Sequence, residues 1–384
     1  MRHPWTGLLT VVLLAAATLP GCNSTTSGFC PGPADLAQCV NNSLPPAGFV
    51  YVANGAPDDT ISAYTIGFAN GEPTPISGSP YPVGGLVPAG LALMFSSTPQ
   101  FLYLGSSGGA TFTGFSINSE TGALTSIPGS PFTSTGNNPA AIGINPSFPF
   151  LYAANAGSNN ISVFAINPGT GALTSVGLPT SVNFSPNGLV INPPGGFLYV
   201  STLSGANGDL EGFSINPVTG ALTPIAGSPF ASFLATAVVI PPSGNFLYAA
   251  DEAGFIHVFS IGAGGTLAEI NGSPFVAGNE PFSMDLDPLG GFLYAANFVS
   301  DNVSAYSIDA ATGALSPIIG SPFAVGHGPR GVSVFALGSL LYVTNEGDNN
   351  VSAFTINALT GALAPITGSP FPSGTAPHGI IAFP

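Results

Sequence analysis

FLYAANFVSDNVSAYSIDAATGALSPIIGSPF, residues Phe292 to Phe323, decides the fold, because near copies of it recur along most of the chain. It holds three short runs of alternating apolar and polar or small residues, the period of β-strands. Gly, Asn, Pro and Thr-Gly turn signals separate the runs. The tyrosine of the FLY element sets the register at Tyr51, Tyr103, Tyr152, Tyr199, Tyr248, Tyr294 and Tyr342, at intervals of 46 to 52 residues. A period near 40 to 50 residues with about four strands per unit is the signature of a β-propeller blade.

Proline identifies the outermost strand. Pro75, Pro224, Pro317 and Pro365 fall in the fourth run of their repeats, and a residue that cannot donate to a ladder belongs at an edge. The first run, rich in Gly, Ala, Val and Ile, suits the crowded axis. Asn118, Asn167, Asn216, Asp309 and Asn357 are each followed four residues later by Gly, which predicts a capped tight turn between third and fourth strands. The aromatic of the recurring Gly-Ser-Pro-Phe is expected to plug the gap between blades.

The repeat opens at Phe49 with a second strand and stops at Pro377 to Phe383 with a first strand. Together they complete one blade. The expectation is an all-β, seven-bladed propeller of four-stranded antiparallel blades, residues 48–384, closed by pairing of the C-terminal strand with the N-terminal blade.

The segment before it reads differently. Arg2 precedes an apolar stretch, Leu8 to Leu19, that ends in Leu19-Pro20-Gly21-Cys22, the pattern of a secretory signal over 1–21. Leu-Pro-Gly-Cys resembles the lipobox of bacterial lipoproteins, which implies acylation of Cys22, a membrane partner through that anchor, and a cell-envelope location on the periplasmic side or the cell surface. An ordinary signal followed by a chance cysteine is the alternative. Residues 22–47 read as a tether in which Cys30 and Cys39 either close a small disulfide loop or stay as thiols.

Charge narrows the partners. The chain has 2 Lys+Arg against 17 Asp+Glu, the two cations being Arg2 and Arg330. Nucleic acid is excluded, since phosphate binding needs several cations. A monomer is expected, and its rim is expected to meet a protein, glycan or small-molecule ligand. No zinc, P-loop or dinucleotide signature is present, so neither metal nor cofactor is expected.

Repeats of FLY-A/V-x-N, N-x-V/I-S-x-F/Y and T-G-A-L, over Phe49 to Pro384, resemble the lactonase-type seven-bladed propellers and the related YVTN-repeat surface proteins. That resemblance implies a site on the rim formed by the second-to-third and fourth-to-first loops. The enzymes of that type carry Gly-Pro-Arg-His at the start of an inner strand and Tyr-Val-x-Asn-Glu at the end of the next strand. This chain has Gly328-Pro329-Arg330 followed by Gly331, and Tyr342-Val343-Thr344-Asn345-Glu346 intact.

The catalytic candidates are therefore Arg330 and Glu346, with His327 or His378 in place of the missing histidine. Arg330 aligns with Asn187, Thr236, Phe282 and His378 in other repeats, so folding does not require it; a salt bridge to Glu346 or another rim carboxylate is the structural alternative. Glu280, Asp251, Glu252, Asn345 and Asp285 are candidate rim ligands, although Asp285 reads first as an inter-blade carboxylate and second as a channel-facing ligand. Asp287 reads as a turn cap and His257 as a packing histidine. Propellers host many unrelated functions, so the sequence alone ranks an envelope binding scaffold first and a hydrolase of small, non-phosphorylated lactones second.

Overall fold

The computed structural model describes residues 46–384 except 69, 85–87, 95–99, 206 and 336. The signal segment, Cys22 and the Cys30 and Cys39 pair lie outside the described residues. Seven antiparallel sheets form the ring, each beginning with an inner strand beside the axis. In chain order the inner strands are Pro88–Met94, Pro139–Ile144, Ser185–Ile191, Ala235–Val239, Pro281–Leu286, Pro329–Val334 and Pro377–Phe383. The last belongs to blade 1, where it pairs with Gly48–Asn54 and continues to Thr60–Ile66 and Pro73–Pro75. The ring closes as the repeat register predicts; the other six inner strands open blades 2 to 7.

The fourth strand is shorter than its sequence run, only three residues in each blade. It covers the lower half of the third strand, and in six blades a two-residue strand covers the upper half. Between the two, the serine of Gly-Ser-Pro-Phe accepts a third-strand N–H through its hydroxyl: Ser79, Ser130, Ser228, Ser273, Ser321 and Ser369 all do so at 2.9–3.0 Å. A backbone donor that would otherwise go unpaired is thus satisfied. The following aromatic joins an inter-blade cluster, as Phe323 does between blades 6 and 7.

Each FLY tyrosine is fully buried, and a buried phenol needs a partner. All seven find the same one, the carbonyl of the third-to-fourth turn glycine in the next blade: Tyr51 to Gly122, Tyr103 to Gly171, Tyr152 to Gly220, Tyr199 to Gly265, Tyr248 to Gly313, Tyr294 to Gly361 and Tyr342 to Gly71. Those glycines adopt left-handed φ, and a Cβ at Gly122 would lie 2.3 Å from the Phe49 ring. The glycine thus serves both the turn and the close approach of two blades.

Candidate active site

Every inner strand carries a β-bulge at its upper end. The register skips Ala140, Asn187, Thr236, Phe282, Arg330 and His378, and slips between Pro88 and Leu91 in blade 2. A bulged residue leaves the ladder and its side chain is re-aimed. Here the bulged residues line the mouth of a central pocket of about 590 Å³, within the usual range for small-ligand sites. The repeat alignment of Arg330 with Asn187, Thr236, Phe282 and His378 is therefore a spatial ring.

The ring is uneven. Phe282, Arg330 and His378 follow one another on blades 6, 7 and 1, whereas blade 3 offers only Ala140. Arg330 Nη1 lies 2.6 Å from Glu346 Oε2, and its Cζ sits 4.7 Å over the Phe282 ring. His378 Nε2 lies 3.5 Å from Glu346 Oε1. One carboxylate thus stands between the chain's rim cation and a histidine of the neighbouring blade. His378, then Arg330, hold the Glu346 carboxyl down at about 2, against the opposing effect of its partial burial.

Glu346 reaches this point because its loop is strapped down, with Glu346 N–H donating to Gly328 O at 2.9 Å and Gly347 N–H to His327 O at 3.0 Å. Two glycines stand close against the cluster. A Cβ at Gly55 would come within 2.9 Å of the His378 ring, and one at Gly331 within 2.6 Å of His378 O and 3.0 Å of Thr344 Oγ1. A histidine after Arg330 has no room here; the imidazole comes instead from the adjacent blade.

His327 is not part of the cluster. Its ring is largely exposed and pairs with Asp348 at 2.9 Å, a bond that raises its pKa, and it is absent from the pocket lining. Asn345 is corrected too. Fully buried, it donates to Asn350 Oδ1 and Ser352 Oγ and accepts from Gly326 N–H; Asn54, Asn155 and Asn297 donate to the equivalent serine in their own blades. It anchors a loop and presents nothing to the mouth.

Asp285 takes its inter-blade reading. Its oxygens accept the Val334 N–H of blade 7 and the Leu286 N–H, each at 2.8 Å, and burial pushes its pKa up to about 6. Asp251 caps Ala253 N–H and faces His257 at 3.5 Å. His257 also bonds Glu269 and stacks on Phe233, the packing role expected of it. Asp287 caps its turn through the Leu289 and Phe292 N–H groups. Glu252 and Glu280 are exposed on the rim and outside the pocket. Phe282, Asn187, Asn138 and Ser107 line the pocket without having been singled out; for Phe282 and Asn187 the alignment with Arg330 was the available signal. Among the described residues no cluster of His, Cys, Asp or Glu is arranged to hold a metal ion.

A sequence model of the lactonase, 7-bladed beta-propeller family matches residues 93–232 and 226–326. The chain belongs to that family. No curated protein sequence matches it significantly. Among solved structures, this lactonase-family propeller is similar to a candidate 6-phosphogluconolactonase of Bacteroides fragilis, with 20% identity over 87% of this chain and 97% of that one and a TM-score of 0.72. The periplasmic gluconolactonase of Pseudomonas aeruginosa gives 17% identity, 87% and 98% coverage and a TM-score of 0.68. Hydrazine synthase of Kuenenia stuttgartiensis gives 18%, 80% and 97%, with 0.57. At such identities the likeness establishes the fold alone.

Proposed function

We propose that the propeller is a lactone hydrolase whose site is Arg330, Glu346 and His378 at the mouth of the central pocket. The observation that carries this reading is the shared carboxylate of Glu346, which joins a cation and a base on one side of a ligand-sized opening in a lactonase-family chain. It reverses the order in which the sequence alone ranks scaffold and hydrolase.

Ring opening needs a base to activate water and a donor for the oxyanion formed at the carbonyl. Glu346 favours the His378 tautomer protonated on Nε2, leaving the Nδ1 lone pair to take a proton from water. The water oxygen then bonds to the carbonyl carbon. The guanidinium has N–H donors beyond the one given to Glu346, and these face the developing oxyanion. Collapse breaks the ring C–O bond, and the proton held on His378 passes to the departing oxygen. Glu346 stays ionised throughout, orienting both partners.

The substrate class follows from charge. Arg330 is the only Lys or Arg among the described residues and is already paired, so a phosphorylated lactone lacks a counter-charge. Across the pocket Asn187, Asn138 and Ser107 offer neutral polar groups, which suit the hydroxyls of an uncharged sugar lactone.

The test is lactone opening by the purified protein on sugar and aromatic lactones, phosphorylated and not, beside Arg330→Ala and His378→Asn. Turnover of a neutral lactone that both variants lose supports the reading. No turnover on any lactone by the folded protein, or full activity in both variants, sinks it.

A further inference from the structure

We propose that the face opposite the site is a membrane-docking surface, so that the anchored propeller lies on the bilayer with its pocket directed away from it. The proposal rests on the reading of Cys22 as an acylated residue and is independent of the catalytic assignment.

The chain leaves the described domain on that face. Ala47 N–H bonds to Ile66 O at the lower end of a third strand, and a Cβ at Gly48 would meet Phe335 and Pro384. From Cys22 to Ala47 the chain can span at most roughly 80 to 90 Å, enough to permit any orientation. The surface must therefore choose one.

Exposed apolar side chains lie beside this exit. Phe68 is 59% exposed in the third-to-fourth turn of blade 1, and Leu359 91% in the same turn of blade 7. In the first-to-second turns, Leu337 is 67% exposed on blade 7 and Leu289 92% on blade 6. These are three consecutive blades. Regular turns need none of these side chains, for sister turns carry Glu120 or Ala311 where Leu359 stands.

Carboxylates are fewer on this face. Glu72, Glu120 and Asp309 are exposed in its third-to-fourth turns, whereas Asp58, Asp59, Glu252, Glu280, Asp301 and Asp348 all stand on the site rim, which docking by the opposite face leaves in water. Burial of a single leucine is a modest gain even when complete, so four partly inserted side chains give weak binding alone. Attachment through Cys22 makes the contact intramolecular, where weak binding suffices. With no Lys or Arg on this face, the lipid it fits is zwitterionic rather than anionic.

The only tryptophan is Trp5, inside the signal segment, so a single introduced indole reports its own position. Full-length protein carrying Leu359→Trp, Leu289→Trp or Glu252→Trp is produced in a bacterium, purified with its acyl chains and reconstituted into phosphatidylcholine vesicles with or without brominated chains. At least twofold stronger bromolipid quenching at positions 359 and 289 than at 252 is expected. Equal quenching at all three, or stronger at 252, overturns the docking face. Failure to float with the vesicles overturns the anchor on which it rests.

Discussion

Arg330 Nη1 and Glu346 Oε2 meet at 2.6 Å on the pocket rim, and the other oxygen of the same carboxylate faces His378 of the next blade. Glu346 therefore positions two groups at once. Glu346→Gln preserves the shape but removes the charge that selects the histidine tautomer and holds the guanidinium. A fall of roughly 10²-fold or more in lactone opening is expected, mainly in kcat. Steady-state kinetics on the lactone that the wild type turns over will check it; unchanged kcat removes Glu346 from the site.

Glu346 and Asp285 should affect stability with opposite pH dependence. The folded pKa of Glu346 is depressed to about 2, so its contribution is fully present above its unfolded value of about 4.5. That contribution is lost as pH falls from there toward 2. The folded pKa of Asp285 is raised to about 6, so the folded state binds its proton more tightly than the unfolded chain does. Stability from Asp285 falls as pH rises from about 4 to 6, by roughly 3 kcal/mol, and is flat above. Denaturant melts of wild type, Glu346→Gln and Asp285→Asn across pH 2.5 to 8 should show the wild-type advantage over the first shrinking in acid. The advantage over the second should shrink between pH 4 and 6.

Removal of residues after Gly374 takes away the strand that pairs with Gly48–Asn54 from Phe49↔Phe383 to Ala53↔Gly379. Blade 1 loses its inner strand and the ring its closure. A melting temperature lower by more than 10 °C, or failure to fold, is expected in calorimetry. The same truncation also deletes His378, so activity is not the readout.

Tyr342→Phe leaves Gly71 O buried without its 2.7 Å partner across the closing seam. The expected loss is about 1–2 kcal/mol. Tyr152→Phe, the equivalent change within the ring at Gly220, should cost a similar amount. Chemical denaturation of both variants will show whether the closing seam is held as the other blade junctions are.

Much of this molecule was legible in one dimension. Strand order and blade number follow from a repeated pattern whose inner pairings are local, each of the four strands bonding to its sequence neighbour, so the period alone carries them; ring closure, the long-range pairing, was legible from the incomplete repeats at Phe49 and Pro377. The bulge ring was legible too, as an alignment of Arg330 with Asn187, Thr236, Phe282 and His378. What the repeat could not reveal were interactions between blades. The tyrosine hydroxyl and its glycine carbonyl lie 65 to 71 residues apart, or 271 at the seam, and no local pattern relates them. Asn345 followed the same logic in reverse: its amide looked available on the rim until the loop folded over it.

The choice of histidine shows where sequence ended. His327 stands three residues from Arg330 yet turns outward to Asp348, whereas His378, 48 residues away, faces Glu346. Nearness along the chain is governed by the loop, and nearness in the site by the angle between blades 7 and 1. The repeat by itself determined that there would be seven blades and one rim; only closure of the ring, with its last strand laid against its first, decided which side chains share it.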